Sequence, residues 1–87
     1  MSYTGVPKHI PISVGTTLTR VKFNGVSVTI YVENNHATQD LLFNFDGNAT
    51  DFITLNAGES WQEEAAAQEI WIKGSGAATT GNLTVGV

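Results

Sequence analysis

Residues 41–87 read LLFNF-DGNATD-FITL-NAGES-WQEEAAAQ-EIWI-KGSGAATTGN-LTVGV. Short apolar segments are separated by clusters of Gly, Asn, Asp, Ser and Thr. Leu41, Phe43 and Phe45 alternate with Leu42 and Asn44, and Leu83, Val85 and Val87 alternate with Thr84 and Gly86. A period of two puts successive side chains on opposite faces, which is strand geometry. Phe52–Leu55 and Ile70–Ile72 read as further strands. Asp46-Gly47-Asn48 and Asn56-Ala57-Gly58 carry residues that tolerate tight turns. Residues 60–69 are ambiguous. Ser60-x-x-Glu63 has the form of a capping box, and helix formers follow it. The stretch is too short for a helix standing alone and has no apolar face at helical spacing. A strand through Trp61, followed by a loop or a single helical turn, is the favoured reading.

Toward the N-terminus, Ile10, Ile12 and Val14 alternate with His9, Pro11 and Ser13. A proline inside a strand places it at a sheet edge. Residues 1–7, with Gly5 and Pro7, read as an extended arm preceding a sandwich domain over 8–87. Thr19, Val21 and Phe23 share one face, and Val26, Val28, Ile30 and Val32 share the face of the next strand. Asn24-Gly25 between them is a strong hairpin signal, so a hairpin is expected over about 17–33. About eight short strands, each bounded by turn residues, predict an all-β domain: one compact antiparallel β-sandwich or jelly-roll-like barrel.

The 87 residues suffice for one domain. The 11 Thr, 8 Val and 6 Ile suit pleated sheet, and there is no Cys. Disulfides, thiolate metal sites and thiol nucleophiles are thereby excluded. The net charge of −4 argues against nucleic acid as a partner. The charge is also polarised, with +3 over residues 1–32 and −7 over 33–87. The two ends of the sequence can be neighbours in a small sandwich, so this polarity serves either internal pairing or a dipolar surface suited to repeated side-by-side contacts. The first residues lack the pattern of a signal peptide, and no apolar run approaches a membrane span, so no membrane partner is expected.

No catalytic constellation emerges, and no enzyme activity, cofactor or metal is expected. His9 and His36 are the only imidazoles and read as solvated. Asp46-Gly47-Asn48-Ala49-Thr50-Asp51 faintly resembles the start of a calcium loop, but Asp51 stands where glycine is required and Ala57 where the bidentate Glu is required. It reads instead as a turn whose side chains bond their own backbone. Gly74-Ser75-Gly76 lacks the Lys-Ser/Thr of a phosphate loop. Candidate interface residues are Tyr3, Val6, Ile10 and Ile12 of the N-terminal region, together with Tyr31, Trp61 and Trp71. If Ile70 and Ile72 face inward, Trp71 faces outward, where it packs on a partner protein or a sugar ring or else covers its own sheet face beneath neighbouring side chains.

Val32-Glu33-Asn34-Asn35, Asp40 through Gly47, Leu55 through Ser60 and Ile70 through Ala77 form a run of strands and turns that resembles small β-sandwich structural proteins of tailed bacteriophage virions. The resemblance covers about 26–87. It implies a non-enzymatic capsid decoration (cement) protein. Such a protein would act as a homo-oligomer, with a trimer favoured, on the major capsid protein or another virion protein. Its location would be the virion, assembled in the host cytoplasm. The alternatives are a carbohydrate-binding module or a tail- or fibre-associated adaptor using exposed aromatics.

Overall fold

The computed structural model describes residues 7–86. Eight strands follow in order: β1 Pro7–Val14, β2 Thr19–Lys22, β3 Thr29–Asn34, β4 Leu41–Asn44, β5 Ile53–Leu55, β6 Ser60–Glu64, β7 Glu69–Gly74 and β8 Thr79–Gly86. They form two four-stranded antiparallel sheets, β1-β8-β3-β6 and β2-β7-β4-β5. Only β4 and β5 are joined as neighbours within a sheet. Every other connection crosses from one sheet to the other, which is the weave of a jelly roll. The expected all-β sandwich is therefore observed, and residues 60–69 are a strand followed by a loop, with no helix.

The hairpin expected over 17–33 does not form. β2 pairs with β7, whereas β3 pairs with β6 and β8 in the opposite sheet. A type I′ turn needs positive φ at both central residues. Asn24 has it, at 59°, but Gly25 is not among the positive-φ glycines. The 23–28 segment is instead tied to 65–68 by Phe23 N–H to Gln68 O (3.0 Å), Ser27 N–H to Ala67 O (2.8 Å) and Ala65 N–H to Val28 O (3.1 Å). As a crossover it places β2 and β3 in opposite sheets, so that Phe23 and Ile30 enter the core from its two sides. The register of this segment also differs from the expected one. Val26 and Val28 are 52% and 39% exposed, while Ser27 is buried at 2%.

The core lies between the sheets. Ile30 and Val32 of β3, Leu41 and Phe43 of β4, Ile70 and Ile72 of β7, and Leu83 and Val85 of β8 are all fully buried. Each set follows the strict alternation seen in the sequence, and full burial of such side chains contributes roughly 1.5–3 kcal/mol apiece. Phe23, just beyond β2, fills the same layer. β1 lies beside β7 across the core, and Trp61 of β6 packs edge to face against Phe43 and at a tilt against Phe45. The β1–β2 edge and the β5–β6 edge are therefore opposite sides of one sandwich.

Three buried polar side chains close the ends. Asn34 donates from Nδ2 to Gln39 O (2.7 Å) and Leu55 O (3.0 Å), and its Oδ1 accepts from His36 N–H (3.0 Å). Asn44 donates to Asn48 O (2.6 Å) and Asp51 O (2.9 Å) and accepts from Gly47 N–H (3.0 Å). Ser27 donates to Ala65 O and accepts from Ala67 N–H. In each case one side chain satisfies backbone groups that the connecting segment cannot pair by itself.

Candidate interaction surfaces

The candidate interface residues fall into four environments. Tyr3 and Val6 lie outside the described residues. Ile12 is 5% exposed in the core, and Ile10 packs against it from β1. Pro7–Val14 pairs along its whole length with β8 of the same chain. Trp61 faces inward and is half-buried, its ring 5.3 Å from that of Phe43 and 5.7 Å from that of Phe45.

Trp71 faces outward from the second sheet, as the alternation on β7 requires. Its Nε1 donates to Glu69 Oε2 at 3.1 Å, and the Arg20 guanidinium lies 5.9 Å from the ring centroid. Arg20 also pairs with Glu69 Oε1 at 2.9 Å, the one ion pair among the described residues. A Cβ on Gly47 would lie only 3.0 Å from the indole, so the ring also rests on the 45–52 connection. Trp71 thus covers its own sheet, with its polar atom already engaged.

Tyr31 faces outward from the first sheet and belongs to a hydrogen-bonded row that the sequence reading did not assemble. Its hydroxyl donates to Glu33 Oε2 (3.4 Å). Asn82 Nδ2 donates to Glu33 Oε1 (2.9 Å), which turns Asn82 Oδ1 toward His9 Nε2 at 3.0 Å. His9 therefore donates from Nε2. The register brings these residues of β1, β8 and β3 together, since Pro11 opposes Asn82 and Asn82 opposes Glu33. The missing signal was strand order, because β8 inserts between β1 and β3 from the far end of the chain.

The four sheet edges differ in what their backbones offer. Hydrogen-bonded pairs with β8 use the even residues of β1, leaving Pro7, His9, Pro11 and Ser13 directed outward. Two of those four positions are prolines without an N–H, so β1 is a blunted edge. β5 has only three residues. β2 turns Arg20 and Lys22 outward, because Phe23 N–H bonds Gln68 O and the alternation runs back from there. β6 turns Ser60, Gln62 and Glu64 outward, because Glu59 and Ala65 bond to β3 and its approach. The edges with outward backbone groups and no proline are thus β2, carrying Arg20 and Lys22, and β6, carrying Glu63 and Glu64, and the like charges on each disfavour pairing of an edge with its own copy. A cleft of about 360 Å³ beside β2 is lined by Arg20, Lys22, Val26 and Glu69 among others, with Val26 exposed at its rim.

The 46–51 loop bonds to itself. Asn48 N–H donates to Asp46 Oδ1 (3.0 Å), and Thr50 donates through both N–H and hydroxyl to Asn48 Oδ1 (2.9 Å). His36 shapes its own loop, its Nδ1 accepting from Thr38 N–H (3.1 Å) and Gln39 N–H (3.0 Å). Among the described residues no group of three or more His, Cys, Asp or Glu could hold a metal ion. Among the described residues no helix is long and apolar enough to cross a membrane.

No family model matches the chain, and no curated protein matches it in sequence. Among solved structures, it is similar to a protein of the Bacillus endospore appendages, described as a novel family of disulfide-linked pili. The TM-score is 0.55 at 19% identity, over 94% of this chain and 84% of that one. At this identity the likeness is one of fold. The protein it resembles is a bacterial pilus protein rather than a phage virion protein. The present chain has no Cys, so disulfide linkage is closed to it.

Proposed function

We propose that this protein is a non-enzymatic structural subunit that associates with copies of itself edge to edge. The observation that carries the reading is the pair of proline-free strand edges of opposite charge on opposite sides of one sandwich. β2 presents Lys22 and Arg20, the latter ion-paired with Glu69 of the adjacent strand, and β6 presents Glu63 and Glu64. An open edge gains backbone hydrogen bonds from an added strand, and complementary charge selects which edge it accepts. The contact is heterologous. It closes into a ring where the rotation permits and extends into a filament where it does not. The likeness to a pilus protein is compatible with the second geometry. The sequence resemblance to virion proteins favours the first: a closed trimer that decorates a capsid surface, each weak site multiplied over a lattice.

Light scattering on the full chain, with Lys22→Glu, Glu64→Lys and an equimolar mixture of the two, tests the reading. Wild type should associate as its concentration rises, each reversal should weaken that association, and the mixture should restore it in part. A wild type that stays monomeric up to millimolar concentration refutes self-association. A filament in place of a trimer retains the structural role and removes the capsid-decoration reading.

A further inference from the structure

We propose that the outer face of the first sheet is a binding site for neutral saccharides, with Tyr31 as its platform. Tyr31 stands in register with Thr84 on one side and Gln62 on the other, and Thr84 is in register with His9. The neighbouring row is Pro11, Asn82, Glu33 and Ser60. Neighbouring strands lie about 4.8 Å apart, so the row from His9 to Gln62 spans roughly 14 Å, the reach of a short oligosaccharide. A cleft of about 240 Å³ opens beside Tyr31, lined by Thr29, Ile30, Tyr31, Gln62 and Thr84.

The chemistry of the face selects the ligand class. No Lys or Arg stands at an outward strand position on this sheet among the described residues, so nothing there neutralises a phosphate or a carboxylate. What the face offers instead are hydroxyls, amides, one aromatic ring, the His9 imidazole and the carboxylates of Glu33 and Glu64, which repel anions further. Tyr31 OH and Asn82 Nδ2 both donate to Glu33, so the carboxylate is held in place with lone pairs to spare. The amide of Gln62 and the hydroxyl of Thr84 flank the ring and make no side-chain hydrogen bond among the described residues. A sugar matches this set, with an apolar ring face for Tyr31 and hydroxyls that both donate and accept. The site lies within one copy and does not rest on self-association. Edge-to-edge joining would leave the face open and repeat it, so weak single sites would gain avidity.

The experiment is an NMR titration of the full chain, in wild type and in the Lys22→Glu background, with glucose oligomers and N-acetylglucosamine oligomers as probes. Backbone amide shifts should map to 29–33, 60–62 and 82–84. Tyr31→Ala should weaken binding at least about tenfold. Gln62→Ala, at an exposed edge position where folding is not at stake, should weaken it severalfold, and Trp71→Ala should leave it unchanged. Absence of shifts with every probe at millimolar concentration overturns the proposal. So do shifts confined to the second sheet around Trp71.

Discussion

The two ends of the sandwich are finished differently. One end gathers the 15–18, 35–40, 56–59 and 75–78 connections, and Asn34 ties three of the surrounding backbone groups while fully buried. The other end gathers 23–28, 45–52 and 65–68. There Asn44 and Ser27 make comparable ties, but Val26 and Val28 stay exposed, and clefts open beside β2 and beside Phe45 and Phe52. The difference is one of closure: the first end holds the sheets together through buried ties, and the second leaves apolar side chains and clefts exposed. Asn34→Ala tests the first half of that statement and carries the largest expected effect. It strands the Leu55 and Gln39 carbonyls and the His36 N–H, each a penalty of about 1–3 kcal/mol where water is excluded. Urea unfolding should show a loss of about 3–4 kcal/mol with an unchanged m value. A loss below about 1 kcal/mol would mean that water reaches this end freely.

Asn44→Ala sharpens the comparison, because the side chain and its number of hydrogen bonds are the same. Asn44 is 8% exposed and its partners lie in a loop whose residues 48–51 are exposed. The freed carbonyls of Asn48 and Asp51 should regain water, and the loss should be nearer 1–2 kcal/mol. Trp71 rests on Gly47, so its fluorescence should shift as the loop loosens. A loss equal to that of Asn34→Ala would erase the distinction between the ends.

Much of the fold was legible where burial and local alternation agree. Ile70 and Ile72 inward with Trp71 outward, the Pro-bearing edge strand, and the strand through Trp61 all follow from a period of two acting on a single sheet face. The Asn24-Gly25 hairpin was misread because turn propensity is local and strand partnership is not. Burying Phe23 and Ile30 in one core from opposite sheets required a crossover, and the crossover left Val26 and Val28 exposed. The role of Asn34 was not legible, since a lone amide carries no sign of the three backbone groups it will meet. The row from His9 to Tyr31 was illegible for the same reason. Its members lie at 9, 31, 33 and 82, and only the insertion of β8 between β1 and β3 makes them neighbours.

The smallest expected effect probes the tied end from within. Thr79 opens β8 there and is 1% exposed, and its hydroxyl is the one buried side-chain polar atom without a partner among the described residues. A desolvated hydroxyl with no hydrogen bond is a net penalty, and Val keeps the β-branched shape while removing it. Thr79→Val should therefore raise stability by about 1 kcal/mol, which in a domain of this size is a rise in Tm of roughly 4–8 °C. Asn34→Ala and Thr79→Val alter polar groups at the same end in opposite senses, one removing satisfied bonds and the other an unsatisfied group. Together they separate burial from hydrogen bonding as the source of stability. A fall in Tm on Thr79→Val would show that the hydroxyl is hydrated. The end assigned to holding the sheets together would then be wet, and the contrast with the cleft-bearing end would have to rest on Asn34 alone.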